Sequence, residues 1–129
     1  MSLIDAIDVA AERISPHVRR TPLEWSPYLS ELSGAEVYLK LENHQVTGSF
    51  KARGALNKLM VSGESARRAG VVTASSGNHG AAVAHGGRVL GLDVEVYVPE
   101  VAAASKIATI RALGGVVEIA GSDCVETEA

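Results

Sequence analysis

The stretch TGSFKARGA places Lys51 directly behind Phe50, the one phenylalanine of the 129-residue chain, and two positions after Ser49. A primary amine at the start of a helix has chemistry that a solvated lysine lacks. The helix end disfavours a cation, and partial burial would favour the neutral amine further. The neutral form is the one that attacks a carbonyl to make a Schiff base. The plain alternative is an ordinary charged lysine on a helix surface, so Lys51 needs a partner elsewhere in the chain.

The second stretch, VTASSGNHGAA from Val72 to Ala82, offers one. An apolar strand runs into Ser75, Ser76, Gly77, Asn78, His79 and Gly80, and a helix of small residues follows. Free N–H groups at a helix start, with the positive end of its dipole, attract anions. Gly77 and Gly80 allow close backbone approach, and the other residues add hydroxyl, amide and imidazole groups. In an open α/β sheet, ligands bind at this carboxyl end of the strands. A turn that merely caps its helix is the bland alternative, but six such residues in succession favour a binding loop. The pattern fits neither the phosphate loop ending in Gly-Lys-Ser/Thr nor the dinucleotide fingerprint. His17, His44, His79 and His85 show no metal-ligand spacing, so no metal is expected.

The elements that must carry these residues are readable in outline. Ser2 caps a first helix with Ile4, Ile7, Ala11 and Ile14 on one face, ending near Pro16. A loop-rich stretch follows, with a short helix near Tyr28–Leu32, and then AEVYLKLE, which reads as a strand. Ser49 is the expected N-cap of a helix running to about Val61 and closed by Gly63. Three units follow in which GVVTASS, LDVEVYVPE and VVEIAG are strands separated by helices, the second of them with Ile107, Ile110 and Leu113 inward. Strands alternating with helices across short loops predict an α/β fold: an open parallel sheet with flanking helices. The last residues, SDCVETEA, read as the first turns of another helix.

Composition narrows the function classes. With 47% hydrophobic and 21% charged residues the chain is that of a globular domain. A net charge of −3 argues against nucleic acid as the main partner. The start lacks a basic region followed by an unbroken apolar core, so no signal peptide is expected. No segment is apolar for the roughly 18 residues a membrane span needs. The single cysteine, Cys124, permits no internal disulfide and is expected to be a small buried or half-buried side chain. Together these predict a cytoplasmic protein.

GSFKARGA and SSGNHG together resemble the fold type II family of pyridoxal-phosphate-dependent enzymes, in its serine/threonine dehydratase and serine racemase branch. RTPL (Arg20 to Leu23), VYLKLE (Val37 to Glu42) and KIATIRALGGVV (Lys106 to Val117) agree with it in order and spacing. The resemblance implies that residues 1–46 belong to the large domain of such an enzyme and residues 47–129 to its small domain. It implies that Lys51 holds pyridoxal 5'-phosphate as a Schiff base, Phe50 packs beside the pyridine ring and Asn78 hydrogen-bonds the ring hydroxyl. Ser75, Ser76, Gly77, Asn78 and His79 would bind the substrate carboxylate. The implied reaction is that of an ammonia-lyase: serine, threonine or a related β-hydroxy amino acid gives a 2-oxo acid and ammonia. Lys51 would take the α-proton, and Ser76 is the second catalytic candidate, because racemase relatives use a serine there on the opposite face of Cα. A racemase is therefore the nearest alternative, and a non-catalytic truncated product acting as a binding module is the next.

The family's glycine-rich phosphate loop and its partner for the pyridine nitrogen lie further along than Ala129. Charge-assisted hydrogen bonds contribute about 1.5–3 kcal/mol each, so these residues alone are expected to bind the cofactor weakly and not to turn over. A nucleotide-binding module lacks a fitting glycine pattern. The expected partners are a small amino-acid substrate and further copies of the chain, with neither nucleic acid nor membrane.

Overall fold

A computed structural model describes residues 1–128, the side chains of Cys124 and Glu128 excepted, so the expected burial of Cys124 lies outside the described residues. The first helix, α1 (Leu3–Ile14), starts from a full capping box: Ser2 accepts the N–H of Asp5, whose carboxylate accepts the N–H of Ser2. Of its expected apolar face only Ile14 is buried; Ile4 and Ile7 are 71% and 57% exposed. A 3-10 turn at Ser15–His17 ends the helix at Pro16 as the sequence predicts.

A strand the sequence did not announce follows, β1 (Leu23–Trp25), then α2 (Pro27–Ser33), capped by Ser26 and closed by left-handed Gly34. Strand β2 (Tyr38–Lys40) pairs antiparallel with β1 and is shorter than the predicted run. Both strands are exposed along their whole length. Turns at Glu42–His44 and Val46–Gly48 then lead into α3 (Lys51–Ala69).

Helix α3 departs from expectation at both ends. Phe50, not Ser49, occupies the cap position; the Ser49 hydroxyl accepts the Lys51 N–H from one residue further out, at 3.3 Å. Gly63 (φ 49°, ψ −123°) breaks the helical geometry where a stop was predicted, but the chain resumes its helix to Ala69 beyond the kink. Only glycine tolerates that backbone conformation.

The remaining elements alternate as predicted: β3 (Val71–Ala74), α4 (Asn78–Leu90), β4 (Val94–Val98), α5 (Ala104–Ala112), β5 (Val116–Ile119) and a last short helix, α6 (Cys124–Glu128). The three strands form one parallel sheet in the order β3-β4-β5. Its central strand buries Val94, Val96 and Val98 on one face, where Ala82, Val83, Ala84, Ile110 and Val117 complete the core.

Helix α4 is sandwiched between the sheet and α3, and its small residues make that possible. A Cβ on Gly86 would stand 2.7 Å from Leu59 Cδ1 of α3, and one on Gly87 would collide with Val94 Cγ2 of β4. These two helix-interior glycines each forgo about 1 kcal/mol of helix propensity relative to Ala, and close packing on both sides of α4 is what the sites require in exchange.

Candidate functional site

Lys51 is the first residue of α3, and its amine stands 5.3 Å from the centre of the Phe50 ring, within range of a cation–π contact. The partial burial expected of Lys51 is not found: the residue is exposed, at the mouth of a cleft rather than inside the core. That open cleft, about 580 Å³, has Phe50, Lys51 and His79 among its lining residues and runs along α3 past Lys58 to Gly70 and the edge of β3. Lys51 and the second residue of α4 thus line one space. Ser75, Ser76, Gly77 and Asn78 lie just outside its lining, on the segment that leads to His79.

The geometry of that turn follows from its residues. Ser75 extends the β3–β4 ladder by donating its N–H to the Tyr97 carbonyl at 3.0 Å, and its hydroxyl accepts the Gly77 N–H at 3.2 Å. Gly77 is the N-cap of α4 and has no side chain to offer, so no side chain caps the helix. The bland reading, a turn whose polar residues satisfy the helix terminus, therefore fails at the cap itself. The first amides of α4 remain available to an anion. Gly80 is required for a different reason: a Cβ there would overlap the Ser75 carbonyl oxygen and press on Val96 and Ile110. The helix start is wedged against the strand end, which fixes the turn's position.

A second polar cluster lies behind Lys51. Arg53 donates from Nε and Nη2 to the two oxygens of Glu42, at 2.9 and 2.8 Å, and Thr21 donates its hydroxyl to the same carboxylate. The Arg53 hydrogen bonds, with that of Thr21 and the nearby charges of Arg53 and Lys40, outweigh burial and hold the Glu42 carboxyl down at about 2. Gln45, 2% exposed, is paired with the Arg19 peptide. None of these residues was singled out as functional from sequence; Arg53 and Glu42 counted only as letters of a motif.

His85, further along α4, does not line the cleft; burial lowers its pKa, with Arg88 and His17 adding to the effect. Among the described residues no cluster of His, Cys, Asp and Glu could hold a metal. The donor set instead fits an organic group with an aldehyde, an aromatic ring and anionic substituents. It offers a primary amine, a phenyl ring beside it and a helix start with open amides.

A family profile described as pyridoxal-phosphate dependent enzyme matches residues 14–129. The chain belongs to that family. Its sequence is 44% identical over 119 residues to a putative threonine dehydratase of Sinorhizobium fredii, covering 92% of this chain and 36% of the relative. It is 43% identical over 108 residues to a β-hydroxyaspartate dehydratase of Paracoccus denitrificans, covering 84% and 34%. Its fold superposes on the structure of maize serine racemase with a TM-score of 0.88 at 35% identity, over 96% of this chain and 38% of that one. This family member spans about a third of the length of its relatives. Its parallel sheet with flanking helices is the fold type II arrangement. No helix among the described residues is long and apolar enough to cross a membrane.

Proposed function

We propose that the chain carries the lysine-bearing part of a pyridoxal-phosphate-dependent ammonia-lyase acting on serine, threonine or a related β-hydroxy amino acid. The observation that carries this reading is the shared cleft: Lys51 and His79 line one space, beside a helix start that no side chain caps. When bound, pyridoxal phosphate supplies an aldehyde that captures an amine and a ring that accepts the electron pair left at Cα. Phe50 gives that ring an apolar neighbour, and Asn78 a hydrogen-bonding amide. The turn of Ser75, Ser76, Gly77 and His79 orients the substrate carboxylate on the amides of α4, where the helix dipole favours an anion. Lys51 would hold the cofactor through its amine, and that amine would be the base that receives the α-proton. Residues 1–46 serve as part of a larger domain and residues 47–129 as the smaller one, in keeping with their two separate sheets.

The names of the relatives, dehydratases of threonine and β-hydroxyaspartate, support loss of a β-hydroxyl as the reaction. A racemase is the second reading, favoured by the likeness to serine racemase and by Ser76 on the turn. The test is to supply cofactor with L-serine, L-threonine and 3-hydroxyaspartate and to follow 2-oxo acid, ammonia and optical rotation together. In a chain that extends these residues to the length of the relatives, release of 2-oxo acid and ammonia in equal amounts is expected, and the 129 residues alone are expected to give neither. Loss of rotation with no keto acid would replace the lyase by the racemase.

A further inference from the structure

The backbone just before Lys51 is strained, and its own bonds are few: Gly48 N–H to the Gln45 carbonyl at 2.8 Å and Lys51 N–H to the Ser49 hydroxyl at 3.3 Å. Thr47 (φ 63°) and Gly48 (φ 74°) are both left-handed, and for a β-branched residue that conformation is costly. The Thr47 hydroxyl is buried without a hydrogen-bond partner. Two further anchors flank the segment. On the amino-terminal side the buried amide of Gln45 accepts the Arg19 N–H at 2.8 Å and the Val46 N–H at 2.9 Å, and donates to the Arg19 carbonyl at 2.8 Å. On the carboxyl-terminal side Arg53 donates to that same Arg19 carbonyl at 3.2 Å while gripping Glu42 with its fork. Both ends of residues 46–52 are therefore tied to one peptide group.

We propose that Gln45, Arg53 and Glu42 form a clamp that positions Lys51, setting its backbone so that the amine meets the cleft. They are positioning residues, since none of the three lines the cleft. The proposal rests on the role given to Lys51 above. It also accounts for an arginine two residues after it: its planar fork reaches both oxygens of the Glu42 carboxylate and the Arg19 carbonyl at once. A lysine there keeps the charge and loses the geometry.

The chain itself provides an internal standard. It has four lysines, and Lys58 lines the same cleft as Lys51. The protein is treated with pyridoxal phosphate and then borohydride. An amine condenses with the aldehyde, losing water, and hydride adds to the C=N bond to leave a stable secondary amine that peptide mapping locates. In the parent chain, label is expected to favour Lys51 over Lys58. In Glu42→Gln and in Arg53→Lys that preference is expected to fall about tenfold, as small misplacements of a reacting group do. Arg13→Ala, which removes a tie from α1 to Asn57 of α3 outside the clamp, is expected to lower the unfolding midpoint and leave the preference unchanged. Should one of the two clamp variants fail to fold, the other decides. A preference retained in a folded Glu42→Gln or Arg53→Lys overturns the clamp alone, and so does an equal fall in Arg13→Ala. No preference in the parent chain overturns the role of Lys51, and the clamp with it.

Discussion

Lys51 and the turn from Ser75 to Gly80 stood out as candidates because each sits in a run of consecutive residues whose chemistry is unusual: Ser-Phe-Lys in one case, Ser-Ser-Gly-Asn-His-Gly in the other. Glu42, Gln45 and Arg53 were not, because their partners are 11 to 34 positions away and no local pattern marks such pairs. The carboxyl of Glu42 makes that cluster testable by pH. Its folded pKa of about 2 lies below the ordinary 4.5, so the stabilisation is complete above the ordinary value. It is lost as pH falls from there through about 2. Denaturant titrations across that range should show a falling midpoint for the parent chain and a flatter profile for Glu42→Gln. At Gly80, a methyl group would meet the backbone oxygen of Ser75, which cannot rotate away. Gly80→Ala is expected to cost about 1–3 kcal/mol in chemical denaturation despite better helix propensity.

The elements followed the sequence where burial imposes a period. The central strand β4 alternates buried and half-buried residues, and α5 turns Ile110 fully inward. Strand β1 escaped because its three residues are all exposed, which leaves no alternation to read, whereas β2 lies inside the predicted run AEVYLKLE. The end of α3 was misplaced for another reason: Gly63 does break the helix, yet Ala66 is buried and draws one more stretch back into it. The two glycines inside α4 carry a graded prediction. At Gly86 an added methyl meets the end of a flexible leucine, whereas at Gly87 it meets a β-branched valine fixed in the sheet. Gly87→Ala should therefore destabilise by about 1–3 kcal/mol, and Gly86→Ala by less, as read from unfolding midpoints of the two variants.

Across the whole molecule the central strand β4 is well covered, whereas Val72, Val116 and Ile119 on the outer strands are more than half exposed and the amino-terminal part is more open still. Leu3, Ile4, Tyr28 and Leu32 are each more than 70% exposed, and Trp25 and Tyr38 more than half. Exposed apolar surface of this kind favours association, so sedimentation of the 129-residue chain is expected to show mass rising with concentration. A single sharp monomer at all concentrations would mean these side chains are content in water.

The central claim is that one amine, at position 51, captures the cofactor. It is tested by titrating the parent chain and Lys51→Ala with pyridoxal phosphate and recording the visible band that appears when the aldehyde condenses with an amine. The expected result is a saturable band in the parent that is absent from Lys51→Ala. A band of equal strength and affinity in both proteins would contradict the account.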